Sequence, residues 1–258
     1  MILRKLTLFI SFGFGFILLG CSGAKPDQAN VLQIPNEAWW TLAANGQLKQ
    51  IPPELSPVVQ DNPAAFKNIA VVRKKIMEVS PTTFTLAFSD AADMNAYASL
   101  QNNQRFIILT NELMKQFGDD PDVLATVVGH ELGHHQLGHT QPNYGKDRNA
   151  MINFASQTLG AISSYFIPFS GLIVGNAVKG AGLSYSRDDE READLMGMKL
   201  ALAAGFSPCG SYRFALQMNE LGQSTSFAFL STHPGNDERI MNSEAFNQSQ
   251  KQTSCRKP

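Results

Sequence analysis

The spacing of apolar residues changes along this chain, and each change marks an element. Over residues 62–79, Phe66, Ile69, Ala70, Ile76 and Met77 recur at helical spacing while Lys67, Arg73, Lys74 and Glu78 fall mostly elsewhere around the axis, which predicts a packing helix. Residues 83–88 alternate polar and apolar, residues 105–109 are a run of β-formers, and residues 93–104 between them are rich in Asn and turn formers. A small antiparallel sheet is expected there. Asp120 is a natural N-cap and Pro121 suits the first helical position, so a helix should run from there to about Gly138. A long apolar stretch, punctuated by Gly and Ser, follows over residues 150–183. Its charge-free middle, residues 158–178, is long enough to span a bilayer, but Pro168, Asn176 and the small residues suit two packed helices better. A charged helix is expected from Asp188 to about Ala204, closed by Gly205 with Pro208 beyond, and then short helices and loops. The class is α+β, predominantly α.

Composition narrows the function. With 43% hydrophobic residues among 258, the chain can bury one substantial core, and a single catalytic domain is expected over residues 36–258. The 21 basic and 22 acidic side chains nearly cancel, which leaves no electrostatic footprint for nucleic acid. Arg4 and Lys5 precede an uncharged apolar run over residues 6–19, the architecture of a secretory signal. That run ends Leu-Leu-Gly-Cys, resembling the bacterial lipobox, so residues 1–20 are expected to be removed and Cys21 lipidated. An ordinary cleaved signal with an incidental cysteine is the alternative. Ser22, where Asp would retain a lipoprotein at the inner membrane, favours the outer membrane on its periplasmic side. Residues 21–35, with Gly23, Pro26 and Pro35, read as anchor and tether. Cys209 and Cys255 remain, and an oxidising compartment predicts a disulfide between them over two unpaired thiols.

The chemistry lies in residues 128–139, Val-Gly-His-Glu-Leu-Gly-His-His-Gln-Leu-Gly-His. His130 and His134, four apart on a helix, project from one face about one turn apart, the separation two imidazoles need to bind one zinc ion. Glu131 beside them can take the proton of a water at the metal. With five histidines in the chain, such a match is expected by chance only ~0.004 times, so the motif outweighs coincidence. Leu124, Val127, Val128 and Leu132 supply the apolar face that holds the polar stripe rigid. Zinc needs a third protein ligand. The metzincin arrangement fails, because its Gly and His positions hold Leu137 and Thr140. His135 lies about 100° around the helix from His134, which places it behind the ligands or at the surface. His139, at the helix end, is favoured there by the helix dipole alone. On the later helix Glu190 and Asp194 share a face, but spacing does not choose between Glu190 and its acidic neighbours Asp188, Asp189 and Glu192.

Several motifs together resemble a known family. Residues 93–98 read Asp-Met-Asn-Ala-Tyr-Ala; Phe106 to Thr110 and Asn111-Glu112-Leu113 follow; Gly138-His139 trail the His-Glu-x-x-His motif; Glu190-x-x-Ala193-Asp194 comes later, then His233-Pro234 and Arg239. Over residues 93–239, a little over half of the chain, this is similar to the gluzincin metallopeptidases that include HtpX and the CAAX prenyl protease, in particular their bacterial periplasmic lipoprotein members. The resemblance implies a zincin fold with one zinc per chain and Glu190 as third ligand. Asp194 would then hydrogen-bond a ligand histidine and fix its tautomer. It further implies an edge strand at Asn95, Ala96, Tyr97 and Ala98 that pairs with an extended substrate. His233 becomes a candidate to swing onto the zinc and make the enzyme latent, and Arg239 a candidate to stabilise the oxyanion. The implied activity is endoproteolysis of misfolded or mis-assembled envelope proteins, with protein substrates, the membrane through Cys21 and envelope assembly factors as partners. Residues 100–104 depart from the pattern, since relatives carry glycine there, and the hairpin is expected to differ in shape. The rival is a chaperone-like or latent metal-binding lipoprotein, against which Glu131 argues, because a structural zinc needs no base beside it.

Overall fold

A computed structural model of the chain describes residues 31–34, 37–48, 62–141, 144, 185–222, 233, 236–251, 254 and 255. The expected signal segment, Cys21, most of the tether and the apolar stretch at 158–178 lie outside the described residues. No helix among the described residues is long and apolar enough to cross a membrane. In chain order the elements are β1 (Val31–Gln33), α1 (Glu37–Ala44), α2 (Pro63–Val79), β2 (Thr85–Ser89), β3 (Ala96–Gln101), β4 (Gln104–Thr110), α3 (Asn111–Phe117), α4 (Pro121–Gln136), α5 (Arg187–Ala203), α6 (Cys209–Gly222) and α7 (Asn236–Ser249).

The four strands form one sheet in the order β1-β2-β4-β3. It is mixed where a purely antiparallel sheet was expected: β1 and β3 pair antiparallel to their neighbours, but β2 and β4 run parallel, with Leu86 opposite Ile107 and Phe88 opposite Leu109. The cause is the β3–β4 hairpin, whose second strand inserts between β3 and β2 and must run in the sense of β2. Asn102 and Asn103 take φ of 49° and 63° at its tip, so the two-residue turn stays tight without glycine. Asn tolerates this left-handed region better than other side chains because its amide can bond locally. The end of the stretch expected as a tether, residues 21–35, belongs to the fold. Val31–Gln33 already pairs with β2, and Ile34 is buried in the core. Three residues are too few to show a period-2 pattern, which is why the strand is invisible in the sequence.

The core lies between the sheet and the helices. Trp40 on α1 donates its indole N–H to the Ile34 carbonyl at 3.2 Å, and its ring lies 5.3 Å from that of Phe66 on α2 and 6.2 Å from that of Phe88 on β2. Asn62 caps α2 by accepting from the Ala65 amide at 3.0 Å, with Pro63 in the first turn. α4 is the central helix: every residue from Val123 to His135 is buried, and it packs against α2, α5, α6 and the sheet. Fully enclosed Leu124, Val128 and Leu132 each contribute about 1.5–3 kcal/mol to holding it in place. Its start is held by Asp120, which accepts from the Asp122 and Val123 amides at 3.1 Å and receives Arg213 of α6 at 2.7 and 2.8 Å.

Burial opposes ionisation of Asp120, but the hydrogen bonds from Arg213 and the Val123 amide outweigh it and hold the carboxyl below its usual range. A depressed carboxylate stabilises the fold above its unfolded pKa and loses that contribution as pH falls through the folded value. Asp120→Ala should therefore lower stability by about 1–2 kcal/mol at neutral pH. In urea unfolding the gap to wild type should close below about pH 4, and a gap that persists unchanged at pH 3 would assign the loss to packing.

Candidate metal centre

The motif helix α4 and the later helix α5 meet backbone to backbone. A Cβ built on Gly197 would lie 2.7 Å from the His130 amide nitrogen and 2.9 Å from the Thr126 carbonyl oxygen, and one on Gly129 would lie 2.8 Å from the Gly197 carbonyl oxygen. Only paired glycines allow this approach, which brings Glu190, two turns before Gly197, level with His130 and His134. α5 begins in a capping box: Ser186 accepts from the Asp189 amide at 3.2 Å, and Asp189 accepts from the Ser186 amide at 2.9 Å.

At this crossing four buried side chains, His130, His134, Glu190 and His233, each turn one donor atom into a space where all four lie within 4.8 Å of one another. The two histidine Nε2 atoms are 3.0 Å apart, and the Glu190 oxygens stand 3.4 Å from His134 and 3.5 Å from His130. His233 Nδ1 lies 3.3 Å from His130 Nε2 and 3.0 Å from Glu190. Ligands about 2.05 Å from a tetrahedral zinc ion sit about 3.3 Å from each other, so this donor set fits zinc in both chemistry and spacing.

Supporting contacts fix how the ligands present themselves. His130 Nδ1 lies 2.8 Å from Asp194, which turns its Nε2 lone pair toward the cluster. Arg239 donates to Asp194 at 2.7 Å and to Glu190 at 2.6 Å, tying the two carboxylates of α5 together. Burial opposes a charged Glu190, but the surrounding imidazoles of His134, His233 and His130 hold its carboxyl well below the ordinary range. His134 is held well below the usual imidazole value by burial, so its nitrogen keeps a lone pair.

Glu131 is different. It is 0% exposed, neither carboxylate oxygen accepts a hydrogen bond among the described residues, and His233 Nε2 is 3.8 Å away. Burial pushes its pKa up, only partly offset by His233 and His130. A buried carboxylate left without partners beside a metal-ligand set is a base waiting for a proton donor.

The other expected residues fall as follows. Asn95 is buried, its amide donating to Thr110 Oγ1 at 2.9 Å, and Ala96, Tyr97 and Ala98 lie on β3 at the sheet edge beside α4. Because Gln101 and Gln104 close the hairpin as its last pair, alternation directs the backbone groups of Ala96, Ala98 and Leu100 away from β4. Cys209 and Cys255 are joined in a disulfide. Residues expected from the sequence to have no role, or only a peripheral one, crowd the back of the site. His135 is bonded through Nε2 to the Phe106 carbonyl at 2.9 Å and Nδ1 to Thr140 at 3.0 Å, locking α4 to β4, and burial pushes its pKa down to about 4. His139 is buried, with Nδ1 2.9 Å from His134 Nδ1, and Tyr185 stacks on His134 at 3.7 Å between ring centres. The Gly138-His139 pair was the only signal for the former, and the latter has none, since it precedes a cap.

Helices on a small mixed sheet, with a buried His-His-Glu-His set, define a metallopeptidase of the zincin type. The chain belongs to peptidase family M48, whose description matches residues 66–246. It is 30% identical to the mitochondrial metalloendopeptidase OMA1 of Arabidopsis thaliana over 133 residues, 52% of this chain and 26% of the relative. It is 32% identical to OMA1 of Saccharomyces cerevisiae over 47% of this chain and 35% of the relative, and 30% identical to the metalloprotease YcaL of Escherichia coli over 57% and 56%. The chain thus spans between about a quarter and just over half of the length of these curated relatives.

Gly197→Ala should be far more damaging than its size suggests, because the new methyl meets backbone that cannot move aside. A loss of about 1–3 kcal/mol with weakened metal retention is expected; thermal unfolding and zinc content by atomic absorption check it, and a variant with unchanged values would show that the helices can part freely.

Proposed function

We propose that the chain is a zinc-dependent endopeptidase that hydrolyses peptide bonds of misfolded or mis-assembled cell-envelope proteins. The observation that carries this reading is Glu131, a fully buried carboxylate with no hydrogen-bond partner among the described residues, 3.8 Å from His233 Nε2 of the His130, His134, Glu190 and His233 cluster. The family and the metalloendopeptidase names of its relatives point the same way. One zinc ion held by His130, His134 and Glu190 would supply Lewis acidity, polarising the scissile carbonyl and lowering the pKa of water.

The protein's own residues do the rest. Glu131 takes the proton of the attacking water and returns it to the leaving amine, and burial strengthens it as a base. Asp194 holds the His130 tautomer, and Arg239, expected as an oxyanion donor, instead orients Glu190 and Asp194. The outward backbone of Ala96, Ala98 and Leu100 pairs with an extended substrate by strand addition. The disulfide between Cys209 and Cys255 supports an oxidising compartment, in line with the export signal and with Cys21 as a lipid anchor in the outer membrane.

One observation favours a latent form of the same protein. His233 Nδ1 stands where a fourth ligand would, 3.0 Å from Glu190 and 3.3 Å from His130, and occupancy of that position leaves no room for water. A chaperone-like lipoprotein with little proteolysis would look the same in a simple assay.

At equal zinc content, Glu131→Gln should cut an unfolded protein about 10²–10⁴-fold more slowly than wild type; equal rates would end the peptidase assignment. His233→Ala should raise cleavage while zinc is retained. Activity and zinc content both unchanged would remove the switch.

A further inference from the structure

We infer that His139 is a positioning residue for the metal ligand His134, selecting the tautomer that leaves the His134 Nε2 lone pair free. The inference rests on the metal-centre reading given above. The two Nδ1 atoms are 2.9 Å apart, and both rings are buried. Two imidazole nitrogens at that distance share one proton: one donates and the other accepts. If His134 is to offer Nε2 to a metal, its own proton must sit on Nδ1, and His139 Nδ1 must be the acceptor. The proton of neutral His139 then lies on Nε2.

The surroundings favour that arrangement. His139 Nε2 faces two carboxylates, Glu192 at 3.7 Å and Asp189 at 3.9 Å, which attract an N–H and repel a lone pair. Asp189 is itself anchored, because it closes the capping box of α5 and receives the Tyr144 hydroxyl, while the Tyr144 ring lies 4.8 Å from that of His139. His139 reaches the site because Gly138 takes φ of 78°, turning the chain back beneath α4, with the His139 amide bonded to the His134 carbonyl at 2.9 Å. The two ligand histidines are therefore oriented by different chemistry. His130 leans on the Asp194 carboxylate, whereas His134 leans on a second imidazole whose far nitrogen faces the carboxylates of α5.

The test is metal affinity, measured with the full chain by competing a chromophoric chelator for zinc, with cobalt absorption as a reporter of ligand geometry. His139→Asn places an acceptor oxygen close to the Nδ1 position, His139→Gln places its polar group further out toward Asp189 and Glu192, and His139→Leu removes both. The Leu and Gln variants should bind zinc about 10–100-fold more weakly with an altered cobalt spectrum, while Asn should stay within about threefold of wild type. Thermal unfolding of the metal-free proteins provides the folding control; if Leu does not fold, the Asn and Gln pair decides. Equal affinity in all variants, or equal loss in Asn and Gln, would overturn the role. If wild type binds no zinc, or binds it independently of His130 and Glu190, the metal-centre reading itself fails.

Discussion

Ligands from two helices can share one ion only when the helix axes come close enough for short side chains to span the gap. Here the contact of Gly129 with Gly197 sets that distance, leaving no space for even a methyl group between the backbones. The rest of the site depends on it. Were the helices a side chain further apart, the Glu190 oxygens would leave the 3.4–3.5 Å range from the two histidines, and Arg239 could not join Glu190 to Asp194 while remaining buried. The α4 cap at Asp120, the His135 bond to β4 and the enclosed leucines then hold one of the two partners still.

That closeness has an electrostatic consequence. Three carboxylates and one guanidinium share a region from which water is largely excluded, with several imidazoles between them. Burying charges costs several kcal/mol each unless they are paired, and removing one member of a buried pair typically costs about 3–5 kcal/mol. Glu190 and Asp194 are paired through Arg239 and the histidines; Glu131 has no hydrogen-bond partner among the described residues, with His233 Nε2 3.8 Å away. The protein tolerates this one unsatisfied carboxyl group, which the proposed function would use as a base. Metal binding and folding stability are linked through the same residues.

The order of influence differs between the two faces of α4. Toward α5 lie charged groups and the candidate metal ligands, whose positions depend on one another, so a small shift in one propagates to all. Toward the sheet lie apolar packing and single hydrogen bonds such as that of His135, which hold the helix without sharing in the chemistry. The edge strand β3 belongs to both faces, packed on α4 and open on its outer side among the described residues.

What the sequence determined by itself is whatever depends on neighbours a few residues away. The facing of His130, Glu131 and His134 follows from helical periodicity, and the caps Asp120 and Gly205 follow from local backbone chemistry. Spacing could not pick Glu190 from among Asp188, Asp189 and Glu192, and only the resemblance to a known family pointed to it; physically, the Gly129–Gly197 crossing is what turns it toward the histidines. The same holds for His139, which helix-dipole reasoning places harmlessly at a helix end but which a left-handed glycine folds back onto His134. The mixed sheet, and the strand at Val31–Gln33, were likewise decided by pairing between distant segments. Local propensity carries no record of which strand inserts between which others, nor of which buried ring meets which. Those contacts exist only once the chain has closed on itself.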